Sequence, residues 1–118
     1  MNVHETLVAA RNEQDRAGYD WRNPGYHPGP CCPEAAIRRV LNLECCSYRV
    51  PAFAAAADAI VQANQLDSLL LSMGVQWLER NLHRSLTLPE VLALFDRAIS
   101  ATAPSPFDGV ELEAGVAG

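Results

Sequence analysis

Thr87-Leu88-Pro89-Glu90-Val91-Leu92-Ala93-Leu94-Phe95-Asp96-Arg97-Ala98-Ile99 reads as a helix from its first residue to its last. Thr87 is an N-cap residue and Glu90, three positions on, completes a capping box. Leu86 is placed to staple onto Val91. Leu88, Val91, Leu92, Phe95, Ala98 and Ile99 then recur at helical spacing, so one face is built for burial.

The same logic carries back along the chain. Asn2 with Glu5 is a second capping box, opening a helix over Val3–Ala17 with Val3, Leu7 and Ala10 on one face. Its second half, Arg11 to Arg16, reads as a solvated surface, and Gly18 as its stop. Pro33 predicts a helix start running to about Cys45, with Ile37, Val40 and Leu41 inward and Arg38 and Arg39 outward. Pro51 opens an Ala-rich helix with a Phe53, Ala57, Ile60, Val61 stripe. Ser68–His83 is the most hydrophobic segment and reads as a central helix, despite Gly74 in its interior. Alternation of the strand kind is absent, and no repeat is seen. The expectation is an all-α fold: a single small domain of four to five helices over residues 1–100, with a flexible acidic tail over 101–118.

Between the first two helices, Tyr19 to Pro30 is rich in Pro and Gly, and Asn23-Pro24-Gly25 is a turn signal. Tyr19, Trp21 and Tyr26 are more aromatic surface than a spacer needs, which predicts an ordered loop of the Ω type. Trp, Tyr and Arg are the residue types that dominate protein interfaces. Trp21, Arg22, Tyr26 and His27 are therefore the candidate protein-binding patch; the competing reading is that they simply cover the core.

Composition narrows the function classes. The chain has 118 residues, 49% hydrophobic, and a formal net charge of -5. That supports one domain with a real core. All the basic residues are Arg and none is Lys, so Schiff-base and Lys-anchored phosphate chemistry are excluded. The acidic balance, with Asp108, Glu111 and Glu113 in the tail, argues against nucleic-acid binding. No stretch is long and apolar enough for a membrane span, and no signal peptide is read at Met1 to Glu5, so a cytoplasmic protein is expected. The Thr87 helix is a poor recognition helix, since Leu88, Pro89, Glu90 and Val91 would face DNA and Arg97 is its single basic residue. Hydrolase, nucleotide-binding and metalloprotease motifs are missing. Glu79, Arg80 and Arg84 read as a charged face.

The Cys31-Cys32 and Cys45-Cys46 steps are the most unusual feature. A four-Cys zinc centre is argued against by geometry. With a helix intact from Pro33 to about Cys45 the pairs stand ~20 Å apart, whereas zinc–sulfur bonds are ~2.3 Å. Neither pair has C-x₂₋₄-C spacing. A smaller metal site would join His27 to Cys31 or Cys32, with His4 or His83 arriving from elsewhere. A thiol nucleophile at Cys31 or Cys32 would use the helix N-terminus and His27, but Glu34 opposes a lowered pKa. The favoured reading is reduced cysteines filling the core, with Cys31 and Cys32 capping the helix. No cofactor and no catalytic set is implied.

The Thr87–Ile99 stretch resembles the C-terminal signature of a family of small proteins of unknown activity from actinobacteria and their phages. There a Thr-x-x-[Asp/Glu]-Val step leads into a Leu-rich helix ending Asp-x-Ala-Ile. Cys31/Cys32 and Trp77 match, more loosely, that family's Cys-containing helix start and its Trp before the Thr. The chain departs from it at Leu78-Glu79, where Asn-Asp is usual, and at Glu34-Ala35, where a Gly is usual. The resemblance implies origin and a helical fold, and the Lys-free, Ala-rich composition agrees with a GC-rich source. The resulting expectation is a non-enzymatic accessory protein binding a host or self protein, in the host cytoplasm if phage-encoded. The alternatives are a metal or thiol site at His27, Cys31 and Cys32, and a structural homodimer burying the Ser68–His83 face.

Overall fold

The computed structural model describes residues 1–20, 28–43, 50–65 and 86–104. Four helices run through them: α1 (Val3–Ala17), α2 (Pro33–Leu41), α3 (Pro51–Ala63) and α4 (Leu88–Thr102). The fold is all-α, with no strand among the described residues. The predicted helix over Ser68–His83 and the acidic tail from Ser105 onward lie outside them. None of the helices described is long and apolar enough to cross a membrane.

Helix α1 starts where the sequence places it. Asn2 Oδ1 accepts from the Glu5 N–H at 2.8 Å, and the Asn2 N–H donates back to Glu5 Oε1 at 3.0 Å. α4 opens on the return half of such a box, with the Thr87 N–H and hydroxyl both donating to Glu90 Oε1 at 2.9 and 3.0 Å. Those bonds hold the Glu90 carboxyl below its ordinary range. Between them the two boxes satisfy donors that every helix start leaves unpaired.

Helix α1 packs most extensively against α2 and α4, α3 packs against α4, and α3 also meets α1 and α2. Leu7, Ala10, Ile37, Phe53, Ala57, Val91, Phe95 and Ala98 are fully buried between them, with Ile60 and Val61 nearly so. The expected faces of α1, α3 and α4 therefore turn inward. Small residues at Ala10, Ala56, Ala57 and Ala98 let the helix axes approach closely, while Phe53 and Phe95 fill the space that remains. Each large side chain so buried contributes roughly 1.5–3 kcal/mol.

The ends of the bundle are tied by polar contacts. His4 Nδ1 lies 3.2 Å from the Ile99 carbonyl and 3.3 Å from Thr102 Oγ1. The Thr102 hydroxyl already donates to the Ala98 carbonyl at 2.8 Å. Both neighbours thus accept from the ring, which puts the proton on Nδ1. Asn64 stops α3, its Nδ2 donating to the carbonyls of Ile60 at 2.9 Å and Leu94 at 3.0 Å. Its Oδ1 accepts from Arg97 at 2.9 Å, an exposed contact that ties the single basic residue of α4 to the end of α3.

Three expectations need correction. Helix α2 ends at Leu41 rather than near Cys45, because Asn42 takes the left-handed conformation (φ 57°, ψ 47°). The Leu43 N–H closes onto Arg38 O at 2.9 Å and that of Asn42 onto Arg39 O at 3.2 Å, a Schellman stop that Asn tolerates. The ~20 Å separation inferred for the two Cys pairs loses its helical basis, and Cys45 and Cys46 lie outside the described residues. α4 runs two residues beyond the expected boundary at residue 100, to Thr102. Finally, Gln14 and Arg38 are not solvated: Gln14 is fully buried, and Arg38 is only 9% exposed.

Candidate functional site

The segment between α1 and α2 leaves and re-enters the bundle at one point. Gly18 ends α1 with φ at +93°, a conformation glycine adopts without strain, and its N–H bonds Gln14 O at 2.9 Å. The chain then runs beside its own return. The Cys31 N–H donates to the Gly18 carbonyl at 3.2 Å, and the Asp20 N–H donates to the Cys31 carbonyl at 3.1 Å. This isolated parallel bridge between Tyr19 and Cys31 closes the loop at its neck. Closed ends are what the Ω reading of Tyr19–Pro30 requires.

Gln14 locks that neck from beneath. Its Nε2 donates to both the Gly18 and the Cys31 carbonyls at 2.8 Å. One amide group therefore holds the outgoing and the returning strand together. Its Oε1 is buried with no hydrogen-bond partner among the described residues. The sequence does carry a signal for Gln14. Residues 3, 7, 10 and 14 share one face of a helix, so Gln14 continues the stripe of Val3, Leu7 and Ala10. The same spacing applies to α2, where residues 34, 37, 38 and 41 share a face, and Glu34 and Arg38 are buried with Ile37. A polar residue in a buried stripe is the feature that reading by polarity alone overlooks.

Charges surround the two thiols. Glu13 accepts two hydrogen bonds from Arg16, at 2.9 and 2.6 Å, and one from Arg39 at 3.1 Å, strapping α1 to α2. The Arg16 bonds, with those of Arg39, hold the Glu13 carboxyl below its ordinary range against the opposing effect of burial. Cys31 is fully buried. Burial raises its thiol pKa, with Glu13 adding to the rise, while Arg39, Arg16 and Arg38 pull the other way. Cys32, 5% exposed, is pushed up to about 12 by burial and by Glu34. It stands at the N-cap position of α2, yet its side chain closes no capping hydrogen bond. The Ala35 amide favours its thiolate without reaching that geometry. Capping by Cys32 is thus corrected, while its burial stands.

The predicted site residues divide accordingly. Trp21, Arg22, Tyr26 and His27 lie outside the described residues, as do His83 and Trp77. Cys31 and Cys32 sit at the neck. His4 does not approach them: it is ten residues, about 15 Å of helix, from Gln14, which touches Cys31. Among the described residues no group of three or more His, Cys, Asp and Glu side chains is arranged to hold a metal ion. Compared with known protein families, with curated proteins and with solved structures, the chain finds no match in any of the three.

Proposed function

We propose that this is a non-enzymatic helical protein that acts by binding another protein, with the loop between α1 and α2 as its binding surface. The observation that carries the reading is the neck. A Tyr19–Cys31 bridge and two Gln14 hydrogen bonds join the two ends of the loop against α1. A binding loop whose ends are joined loses less freedom on association than one with free ends, which favours affinity. The loop so held contains Trp21, Arg22, Tyr26 and His27. These residue types supply most of the energy at protein interfaces.

The thiols support a non-enzymatic reading too. A nucleophilic cysteine needs its thiolate near neutral pH, and burial pushes both thiols of the neck in the opposite direction. In its concrete form the proposal is an accessory factor, phage-encoded or actinobacterial, whose partner is a host protein.

The test is affinity capture from an actinobacterial lysate, with the wild-type chain and a Trp21→Ala/Tyr26→Ala variant as paired baits. The expected result is a host protein enriched by the wild type and lost with the variant, while the two baits give the same circular dichroism. Equal enrichment by both baits overturns the loop as the binding surface.

A further inference from the structure

We propose that Cys31 is a gated modification site: opening of the loop neck presents its thiol to small disulfides, and the adduct then holds the neck open. The proposal rests on the neck and is independent of any partner protein.

One residue supplies both halves of the gate. The Cys31 backbone accepts from Asp20 and Gln14 and donates to Gly18, while its side chain is fully buried. A thiol with no exposed surface has no room for an added group. Closure of the neck and attachment of an adduct therefore exclude each other. The neck is an isolated bridge and not part of a ladder among the described residues. Its bridge hydrogen bonds, at 3.1 and 3.2 Å, are backed by the Gln14 bonds at 2.8 Å. Such a contact opens locally at lower cost than the bundle unfolds.

The charges make Cys31 the reactive one of the pair. Glu13 and Arg16 act on it from α1, Arg38 and Arg39 from α2. That is three guanidinium groups against one carboxylate. Arg39 acts most strongly of the three, and Arg38 is the most deeply buried of them. It is nine-tenths buried, and its Nη2 has no hydrogen-bond partner among the described residues. Helical side chains lean toward the N-terminus of their helix, which for Arg38 is the end where the thiols lie. With the neck closed, burial keeps Cys31 protonated. With the neck open, burial is relieved and the guanidinium groups remain, which favours the thiolate. Cys32 differs because Glu34 works against its thiolate.

The step is thiol–disulfide exchange. Cys31 loses its proton to solvent, and its Sγ attacks one sulfur of the disulfide. The sulfur–sulfur bond of the reagent breaks, and a mixed disulfide forms on Cys31. The other half leaves as a thiolate, which takes up a proton. The reagent is the oxidant, and its departing half is the reduced product.

The experiment treats the full chain with 2,2′-dithiodipyridine near neutral pH over a series of urea concentrations. Tandem mass spectrometry locates the thiopyridyl group. Cys31 is expected to be modified ahead of Cys32, at a rate that rises much less steeply with urea than global unfolding does. Gln14→Ala is expected to speed Cys31 by about tenfold or more through loss of one buried and one part-buried hydrogen bond, at unchanged urea dependence. Should Gln14→Ala fail to fold, Gly18→Ala is read instead, since alanine is strained at a φ of +93°. In the modified chain the Cys31 and Asp20 amides are expected to exchange fast with solvent. Equal modification of Cys31 and Cys32 with the urea dependence of global unfolding overturns the gate, as does an unchanged Cys31 rate in the folded neck variant.

Discussion

The helix starts at Asn2 and Thr87 meet the same requirement as the helix start at Cys32, by opposite means. At Asn2 the side chain meets the Glu5 N–H, at both Asn2 and Thr87 the carboxylate three residues on accepts from the N-cap N–H, and both boxes are exposed. At Cys32 there is no side-chain cap, Pro33 removes one donor, and the first turn is buried, with Glu34 only 1% exposed. The first kind of start is a local structure that the rest of the fold merely joins. The second exists because α1 and the loop neck pack over it. Environment therefore decides how α2 begins, and the buried thiols of Cys31 and Cys32 are where that environment can be measured.

The largest effect that would sharpen this comparison is alkaline. The Cys32 thiol is raised from about 9 to about 12 by burial and by Glu34. Below pH 9 it is protonated in both folded and unfolded chains, so the stability linked to it is fully present. Between pH 9 and 12 the unfolded chain ionises first, and the folded state is disfavoured by about 1.4 kcal/mol per pH unit. Urea unfolding of the wild type and Cys32→Ala at pH 8 and pH 11 is expected to show the wild type losing about 3 kcal/mol more than the variant over that interval. Parallel losses would mean that the first turn of α2 is wetter than its packing shows.

Next in size is the residue that joins the two regions. Gln14 lies on the self-sufficient helix α1 and holds the dependent neck. Gln14→Ala is expected to cost about 2 kcal/mol, from one buried and one part-buried hydrogen bond and the space the side chain fills. Gln14→Met keeps most of the volume and also removes the unpartnered Oε1, so its cost is expected to be smaller. Chemical denaturation of the three proteins orders them. Equal cost for the two variants would assign the role of Gln14 to its hydrogen bonds alone.

This contrast also explains what could be read from the chain. The capping boxes, the Pro33 and Pro51 starts, the Gly18 stop and the buried stripes depend on neighbours three or four positions apart, and all were legible. The stop at Asn42 was legible in principle, since Asn tolerates the left-handed conformation that ends α2. The neck was half legible. Gly18 and the prolines announced that the helix stops and the next one starts late, but joining Tyr19 to Cys31 requires residues twelve apart to meet. Gln14 and Arg38 read as solvated on polarity, and helical position overrules that reading. Their spacing placed them on buried faces, and only the packed structure shows how such groups are accommodated there.

The smallest effect tests the self-sufficient side. Asn2→Ala removes an exposed cap and is expected to cost about 1 kcal/mol, the usual value of an N-cap side chain, while Thr87→Ala removes a hydroxyl that donates to Glu90 and is expected to cost less. Because each box is closed within its own four residues, the two losses should add in the double variant. Sites with no shared partner generally do add. The neck should not notice either: amide exchange at Cys31 and Asp20, measured where local opening rather than global unfolding controls it, is expected to stay at the wild-type rate. Asn2 is the sharper of the two tests, since it begins the same helix that ends in Gln14 and Gly18. Faster exchange at the neck in Asn2→Ala would show that α1 transmits strain along its length. The local start and the dependent one would then be two ends of a single cooperative unit.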